Sequence, residues 1–303
     1  MDVTEDMKIK GGTAIKYCGG EERVVIPDGV EIIWPGLFRN EETMADLRIP
    51  GSVRRIPALF LKNGNDSLVS VAIGEGVEEI GGHAFFDCRS LSQVSLPASV
   101  TVIGGEAFAG CASLEAIGLP AGIVQIWSKA FDRCSSLAAV TVPAGVEEIA
   151  WGAFRACGSL AEVSFAGRAV ASLGERAFQD CGALVSLELP AGVRTIGNFA
   201  FVCCGALEHV GLPDGLERIG VSAFRECGSL RSVAVPDAVT DLGEQAFRGC
   251  RSLASFRIPA HLDRLGPNVL AECPALEEVH VPASLDVDRA YLGVGDQVAV
   301  TAY

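Results

Sequence analysis

The most regular part of the chain, residues 91–113, reads LSQVSLPASVTVIGGEAFAGCAS. Residues 91–96 place three apolar side chains at the spacing of a short strand, and Pro97 ends that strand because proline has no amide donor for a β ladder. A second apolar pair, Val100 and Ile103, follows the proline. The stretch therefore predicts a strand of three or four residues and a return segment, both with their apolar side chains turned inward.

The end of the same stretch has a different spacing. Ala107, Phe108 and Cys111 are one to four positions apart, which is typical of a single helical or 3₁₀ turn. Residues 91–113 therefore predict one complete coil of chain made from a strand, a return segment and a turn.

This unit recurs along the chain with a period near 23 residues, which is the signature of a repeat architecture. An Ala-Phe pair marks eight units, at Phe85, Phe108, Phe131, Phe154, Phe178, Phe201, Phe224 and Phe247. A cysteine follows each pair three residues later, and a ninth unit has Leu270 in the Phe position, giving Cys88, Cys111, Cys134, Cys157, Cys181, Cys204, Cys227, Cys250 and Cys273. A proline marker extends the array over residues 27–282, so we expect about twelve coils of about 23 residues.

One such coil cannot bury its apolar side chains alone. Stacking successive coils at the strand spacing of about 4.8 Å buries each against its neighbours. The ends of such a stack need covers, and the terminal sequences lack the repeat. We predict an N-terminal β cap at residues 1–22, a solenoid at residues 23–285 and a C-terminal cap at residues 286–303.

Residues 91–113 resemble the BspA-type leucine-rich repeat, and residues 16–33, KYCGGEERVVIPDGVEII, resemble the cap that often precedes it. The resemblance covers about residues 7–285. It implies an α/β leucine-rich-repeat solenoid, a horseshoe or gently curved rod, with short parallel strands on one face and single helical turns. Members of this family are known mainly as bacterial and protist surface or secreted proteins, and some are adhesins.

Charge and hydropathy narrow the classes of partner. The chain has 38 acidic and 24 basic residues, a net charge of −14, and no long run of Lys or Arg. We therefore expect no nucleic-acid binding. No run of eighteen apolar residues occurs, and the opening residues MDVTEDMKIKGGTAIKY do not have the pattern of a signal peptide, so we expect no membrane insertion. The sequence as it stands favours the cytoplasm, whereas the resemblance implies the cell surface or secretion.

The eleven cysteines raise the alternatives of a metal site or a disulfide ladder. Nine of them occupy one repeat position, where a small apolar side chain fills the inside of a turn. No Cys-x-x-Cys pair is present, so we expect neither a zinc site nor any other metal or cofactor. Cys18 and Cys203 lie outside the column and are the best candidates for reactive thiols. No hydrolase, metalloprotease or nucleotide-binding motif is present, and we expect a protein that is not an enzyme.

Two surfaces are candidates for ligand binding. The outward positions of the first strands form two adjacent columns of mostly small and polar residues, the predicted concave face. The candidate ligand-binding residues in these columns are Gln93, Ser95, Gly118, Thr141, Glu162, Ser164, Glu188 and His209. The alternative is that these residues only separate the leucines. On the opposite side, apolar residues replace Gly, Glu, Ser or Asn just before the Ala-Phe turn and form a possible interface, at Trp127, Trp151, Phe199 and Val221. Aromatic residues are enriched in interface cores.

These observations together predict a non-catalytic binding scaffold for protein–protein or protein–glycan recognition, with an adhesin-like role at the cell surface implied by the resemblance. The alternative is a structural or self-assembling intracellular repeat protein, and homodimer formation is a further hypothesis.

Overall fold

The computed structural model describes residues 6–38, 41–61 and 64–303. It is a β-solenoid of about twelve turns with parallel strands and almost no helix, which confirms the predicted fold class. The chain divides into two compact units, Met1–Val146 and Glu147–Tyr303.

In unit 1, most coils contribute one strand to each of two columns. The first strands are β3 (Arg23–Val25), β5 (Asp46–Ile49), β7 (Ser70–Ile73), β9 (Gln93–Ser95) and β12 (Ala139–Val142). The second strands are β4 (Ile32–Ile33), β6 (Arg55–Ile56), β8 (Glu79–Ile80), β10 (Val102–Ile103) and β11 (Gln125–Ile126). Parallel sheets form in the orders β3-β5-β7-β9 and β11-β10-β8-β6.

Unit 2 repeats this plan. Its first strands are β14 (Glu162–Phe165), β16 (Ser186–Glu188), β18 (His209–Gly211), β21 (Ser255–Arg257) and β23 (Glu278–Val281). Its second strands are β13 (Glu148–Ile149), β15 (Ser172–Leu173), β17 (Thr195–Ile196), β19 (Arg218–Ile219), β20 (Asp241–Leu242) and β22 (Arg264–Leu265). The second strands form one continuous parallel sheet in that order.

Each end of the chain has its own cover. At the N-terminal end, β1 (Met7–Lys10) and β2 (Thr13–Tyr17) form an antiparallel hairpin, and β2 pairs with β4. At the C-terminal end, the short helix α1 (Arg289–Leu292) begins at Asp288 and ends at Gly293, and β24 (Ala299–Ala302) pairs in parallel with β23.

The Ala-Phe segment is a series of turns and not a regular helix. His83 and Asp87 adopt left-handed backbone conformations, with φ of 55° and 54°. These residues interrupt any helical run and direct amide groups at the next coil: the N–H groups of His83, Phe85 and Asp87 donate to the carbonyl groups of Gly105, Ala107 and Ala109 over 2.9, 2.8 and 2.7 Å. The same two positions have positive φ in most coils. We call the stacked Ala-Phe segments the turn side of the solenoid. The turn side therefore has a third ladder of hydrogen bonds between coils, and this ladder satisfies backbone groups that a helical turn would satisfy within one coil.

At the C-terminal end of unit 2, α1 completes this turn ladder. The N–H groups of Asn268 and Leu270 donate to the carbonyl oxygens of Tyr291 and Leu292, over 2.7 and 3.0 Å. The last carbonyl groups of a helix have no hydrogen-bond donor within the helix. In α1 these carbonyl groups accept from the N–H groups of Asn268 and Leu270, which no further coil is present to accept.

The core of each unit is a column of buried phenylalanine rings, as the repeat spacing predicts. The rings of Phe85, Phe108 and Phe131 lie nearly parallel, with centroids 5.3 and 5.6 Å apart. In unit 2 the parallel column runs from Phe154 to Phe247, with centroids 5.1 to 5.5 Å apart. At the N-terminal end of unit 1 the column continues with edge-to-face rings, which the repeat pattern did not reveal, at Tyr17, Phe38 and Phe60.

The nine cysteines of the repeat are buried and Cys18 and Cys203 are exposed, as expected, and all eleven thiols are free in the structure. Seven of the nine buried thiols have a further role that the sequence did not indicate. The Sγ atom donates to the carbonyl oxygen of the Phe one coil earlier, over 3.2 Å for Cys111 and Cys134 in unit 1 and over 3.1 to 3.3 Å for five thiols in unit 2. The cysteine column is thus a line of inter-coil hydrogen bonds.

Candidate functional site

The candidate surface is the outward side of the first strands, which we call the strand face. In β12 the outward residues Ala139 and Thr141 are exposed, whereas Val140 and Val142 are buried. This alternation follows from the period of two in a β-strand. Each regular first strand therefore directs two residues outward at the strand face.

In unit 1, the predicted strand-face residues Gln93, Ser95, Gly118 and Thr141 are all exposed. Ser95 pairs in register with Ala72 of the preceding coil. A Cβ atom added at Gly118 would meet no atom within 4 Å. The middle of this face is therefore low and open, and a ligand can approach its backbone closely.

In unit 2, Glu162, Glu188 and His209 are exposed and Ser164 is half-buried. The structure joins two of them: Nε2 of His209 lies 3.0 Å from Oε1 of Glu188. The Glu188 carboxylate also lies over Gly211, which has no side chain to obstruct it. Sequence spacing placed these residues in adjacent columns but did not indicate that they form a pair.

The ladder beneath the strand face is interrupted in both units. In unit 1, the coil that holds Gly118 forms only an isolated bridge between Ala116 and Ala139, and glycine is a poor strand former. In unit 2, residues 231–235 form no strand. In unit 2 the second-strand sheet is continuous through the corresponding coil, at β20, whereas in unit 1 β11 of the Gly118 coil is the last strand of its sheet. The strand face is therefore a series of short sheets.

Two cavities open on the strand face of unit 1. A cavity of about 670 Å³ lies along β3 and β5 and is lined by residues that include Arg23, Asp28, Asp46 and Arg48. Nη2 of Arg23 lies 3.9 Å from Oδ2 of Asp46. A cavity of about 390 Å³ is lined by residues of β7 and β9 together with Ala116. The repeat pattern did not single out these charged residues, although Arg48 lies at the position equivalent to Ser95, where the neighbouring coils have Val25 and Ala72.

The opposite side has the predicted apolar residues. The Trp127 side chain of unit 1 is 51% exposed, and Trp151, Phe199 and Val221 of unit 2 are half-buried. The structure brings two of them into adjoining coils, since the Phe199 N–H group donates to the Val221 carbonyl over 2.9 Å. The Arg176 guanidinium lies 5.0 Å from the centroid of the Phe199 ring, a cation–π contact that covers part of this ring.

Cys88, Cys203 and Cys273 do not have the environment of catalytic nucleophiles. Burial raises the pKa of Cys88 to about 12 and that of Cys273 to about 11. Partial burial, with the nearby Asp180 and Glu226 carboxylates, also raises the pKa of the exposed Cys203. A reactive cysteine requires a lowered pKa. Among the described residues, no group of three or more His, Cys, Asp or Glu side chains could hold a metal ion.

The stacked coils, the buried Phe and Cys columns and the repeated strand face define a leucine-rich-repeat solenoid protein. The model of the BspA-type leucine-rich-repeat region matches six copies, over residues 58–184 and 171–291. The chain therefore belongs to the BspA-type leucine-rich-repeat family. No curated protein sequence matches it significantly.

Several solved structures are similar to this chain. A leucine-rich cell surface protein from Faecalibacterium prausnitzii is 26% identical, with a TM-score of 0.55, over 100% of this chain and 96% of that one. The leucine-rich-repeat protein of T. pallidum is 29% identical, with a TM-score of 0.54, over 60% of this chain and 89% of that one. The pneumococcal vaccine antigen PcpA, 19% identical with a TM-score of 0.61 over 99% and 92% of the two chains, supports the fold alone. In the part of the chain that the structure describes, no helix has the length and apolar character needed to cross a bilayer.

Proposed function

We propose that this chain is a non-catalytic binding scaffold that recognises a protein or glycan ligand through its strand face, in an adhesin-like role at the cell surface. The observation that carries the proposal is the repetition of exposed outward residues on successive first strands, with an open surface at Gly118. Such extended surfaces are the usual binding sites of solenoid proteins. The cell-surface description of the similar Faecalibacterium prausnitzii protein supports the proposed location.

The composition of the strand face favours close contact with an extended ligand. The small side chain of Ser95 and the lack of a side chain at Gly118 allow approach to the backbone, and the polar side chain of Gln93 offers both a donor and an acceptor. In unit 2 the Glu188–His209 pair adds a charged group that can select among ligands. The strand face thus combines an open centre in unit 1 with a polar, charged surface in unit 2.

The test uses the full chain on a glycan array and on a peptide array, followed by affinity measurements with the first positive probe. Ser95→Arg with Thr141→Arg obstructs the strand face of unit 1, and Glu162→Arg with Ser186→Arg obstructs that of unit 2. We expect at least one of these pairs to weaken binding about tenfold or more, because each arginine occupies space that the ligand needs.

The matched control is Ser95→Thr with Thr141→Ser, which keeps small hydroxyl side chains at both positions and should leave the affinity unchanged. Trp127→Ser with Phe199→Ser tests the opposite side in the same assay. Loss of binding in this last variant, with full affinity in both arginine variants, would show that the strand face is not the site.

A further inference from the structure

In each unit the apolar residues of the second strands form a row that continues from coil to coil. At each end of the chain, the last residue of this row is incompletely covered. In unit 1, Ile9 of β1 pairs with Ala14 of β2, which pairs in turn with Ile33 of β4. Ala14 and Ile33 are buried, but Ile9 is 41% exposed. Since β1 is the outer strand of its sheet, the apolar row ends at the surface.

The equivalent row of unit 2 also ends at the surface. Leu242 of β20 is fully buried, whereas Leu265 of β22, the last strand of the sheet, is only half-buried. The chain that follows does not add another strand to β22. Instead, it leaves a cavity of about 540 Å³ lined by Leu265, Leu285, Asp286, Val287, Asp288 and Tyr291. Among these residues, Tyr291 reaches the edge of β22, where its hydroxyl group donates to the Leu265 carbonyl over 2.7 Å.

The hairpin at one end and the cavity at the other carry side chains of opposite charge. The hairpin sequence at residues 7–17, MKIKGGTAIKY, has three lysines and no acidic residue, although the whole chain has a net charge of −14. Lys8, Lys10 and Lys16 are exposed on this hairpin. At the other end, Asp286 and Asp288 are exposed at the cavity beside β22.

The coils, in contrast, pair many of their charges internally. The Asp241 carboxylate, for example, forms ion pairs with Nε of Arg218 at 3.3 Å and with Nη1 of Arg264 at 3.2 Å. Within residues 6–38, 41–61 and 64–303, neither Lys8, Lys10 nor Asp286 forms an ion pair. The charges of Lys8 and Lys10 at one end and of Asp286 at the other are therefore opposite in sign and are not paired within the chain.

We propose that copies of this chain associate head to tail, with the β1–β2 hairpin of one copy seated in the cavity beside β22 of the next. Contact with Leu285 and Val287 of the second copy would cover Ile9, and Lys8 and Lys10 would face its Asp286 and Asp288. This inference goes beyond the proposed ligand recognition, because it uses the ends of the chain and leaves the strand face free. The two surfaces differ, so the interface is heterologous and each added copy exposes the same free ends again.

Sedimentation equilibrium of the full chain over a wide range of concentration tests the association. We expect the average mass to rise with concentration beyond that of a dimer, and to fall at high salt, because screening weakens the charge pairing. Lys8→Glu with Lys10→Glu reverses the charge of the hairpin. Asp286→Lys with Asp288→Asn reverses the charge of the cavity, and asparagine at position 288 keeps a cap for α1. Each variant alone should lower the association constant about tenfold or more.

An equal mixture of the two variants is the sharpest comparison. The variant with Lys8→Glu and Lys10→Glu keeps a natural cavity, and the variant with Asp286→Lys and Asp288→Asn keeps a natural hairpin. These two natural surfaces can bind each other, so mixing should restore association that neither variant shows alone. The matched controls are Arg168→Glu and Glu115→Lys, which make changes of the same sign at exposed positions away from both ends and should associate like the natural chain. Far-UV circular dichroism confirms that each variant is folded.

Three outcomes contradict the proposal. A chain that stays monomeric at every concentration would show that the lysines only protect the β1 edge from pairing. A mass that stops at the dimer would indicate a symmetric interface. Association that both charge variants retain would place the contact elsewhere on the surface.

Discussion

The Cys204 thiol donates a hydrogen bond to the carbonyl oxygen of Phe178, one coil earlier, over 3.1 Å. The same oxygen also accepts from the Cys181 N–H group over 3.2 Å. A carbonyl oxygen has two lone pairs, and the thiol uses the one that the backbone leaves free. Cysteine at this repeat position therefore combines a small apolar side chain with a weak donor.

Cys204→Ala should lower the free energy of unfolding by about 1–2 kcal/mol, because it removes a weak hydrogen bond and leaves a small cavity, while the Phe178 carbonyl keeps its backbone partner. Chemical denaturation measures the loss. In the natural chain, the Raman S–H stretching bands of the buried thiols should lie at lower frequency than the band of an exposed thiol. A single S–H band at the frequency of a free thiol would contradict the hydrogen-bond ladder.

The buried thiols predict a loss of stability in alkali. The ordinary thiol pKa is 9.0, and burial raises the pKa of Cys88 to about 12. Between these values the unfolded chain releases this proton and the folded chain keeps it, so stability present below about pH 9 is lost as the pH rises toward 12. Each such thiol lowers the unfolding free energy by about 1.4 kcal/mol per pH unit in this range.

The measurement is denaturant unfolding at about pH 8 and about pH 10. Cys227→Ala is the control, because burial also raises the pKa of this thiol, and the variant should lose less stability over that interval than the natural chain by the contribution of one thiol. An equal loss in both proteins would show that the column thiols do not cause the effect.

Thiol labelling distinguishes the two classes of cysteine directly. Under native conditions a bulky reagent should modify the two exposed thiols, Cys18 and Cys203, while the nine buried thiols react only after denaturation. Peptide mapping by mass spectrometry identifies the modified positions. Fast native labelling of Cys134 or Cys181 would be incompatible with the packing of the turn side.

Phe201→Ala should lower the free energy of unfolding by about 3–5 kcal/mol. The ring is fully buried between Phe178 and Phe224, with centroids 5.5 and 5.1 Å away, so its removal leaves a cavity that the stacked coils cannot close. Phe201→Leu should cost less, since Leu270 occupies the equivalent position in a later coil. Unfolding in denaturant, followed by circular dichroism, measures both; equal stability of Phe201→Ala and the natural chain would contradict this packing.

The repeat pattern predicted the residues that the fold buries. The positions of Phe85 and Cys88 recur in successive coils, and the residues at both positions are buried wherever the structure describes them. The exposure of Ser95 and Thr141 follows from the same argument, because a strand of period two with an apolar inner side must direct its other residues outward. Whether these residues bind a ligand stays a prediction, because exposure alone does not define a site.

Tertiary structure decided what depends on contacts between coils. The left-handed residue His83 has no sequence signal, since its conformation is stabilised by hydrogen bonds to the next coil. The pairing of Glu188 with His209 depends on how close two neighbouring strands place the two side chains. The exposure of Ile9 and Leu265 depends on the paths that the terminal segments take. Local periodicity determines which side of the chain is buried, whereas hydrogen bonds and charge pairs between coils depend on how each coil is placed on its neighbour.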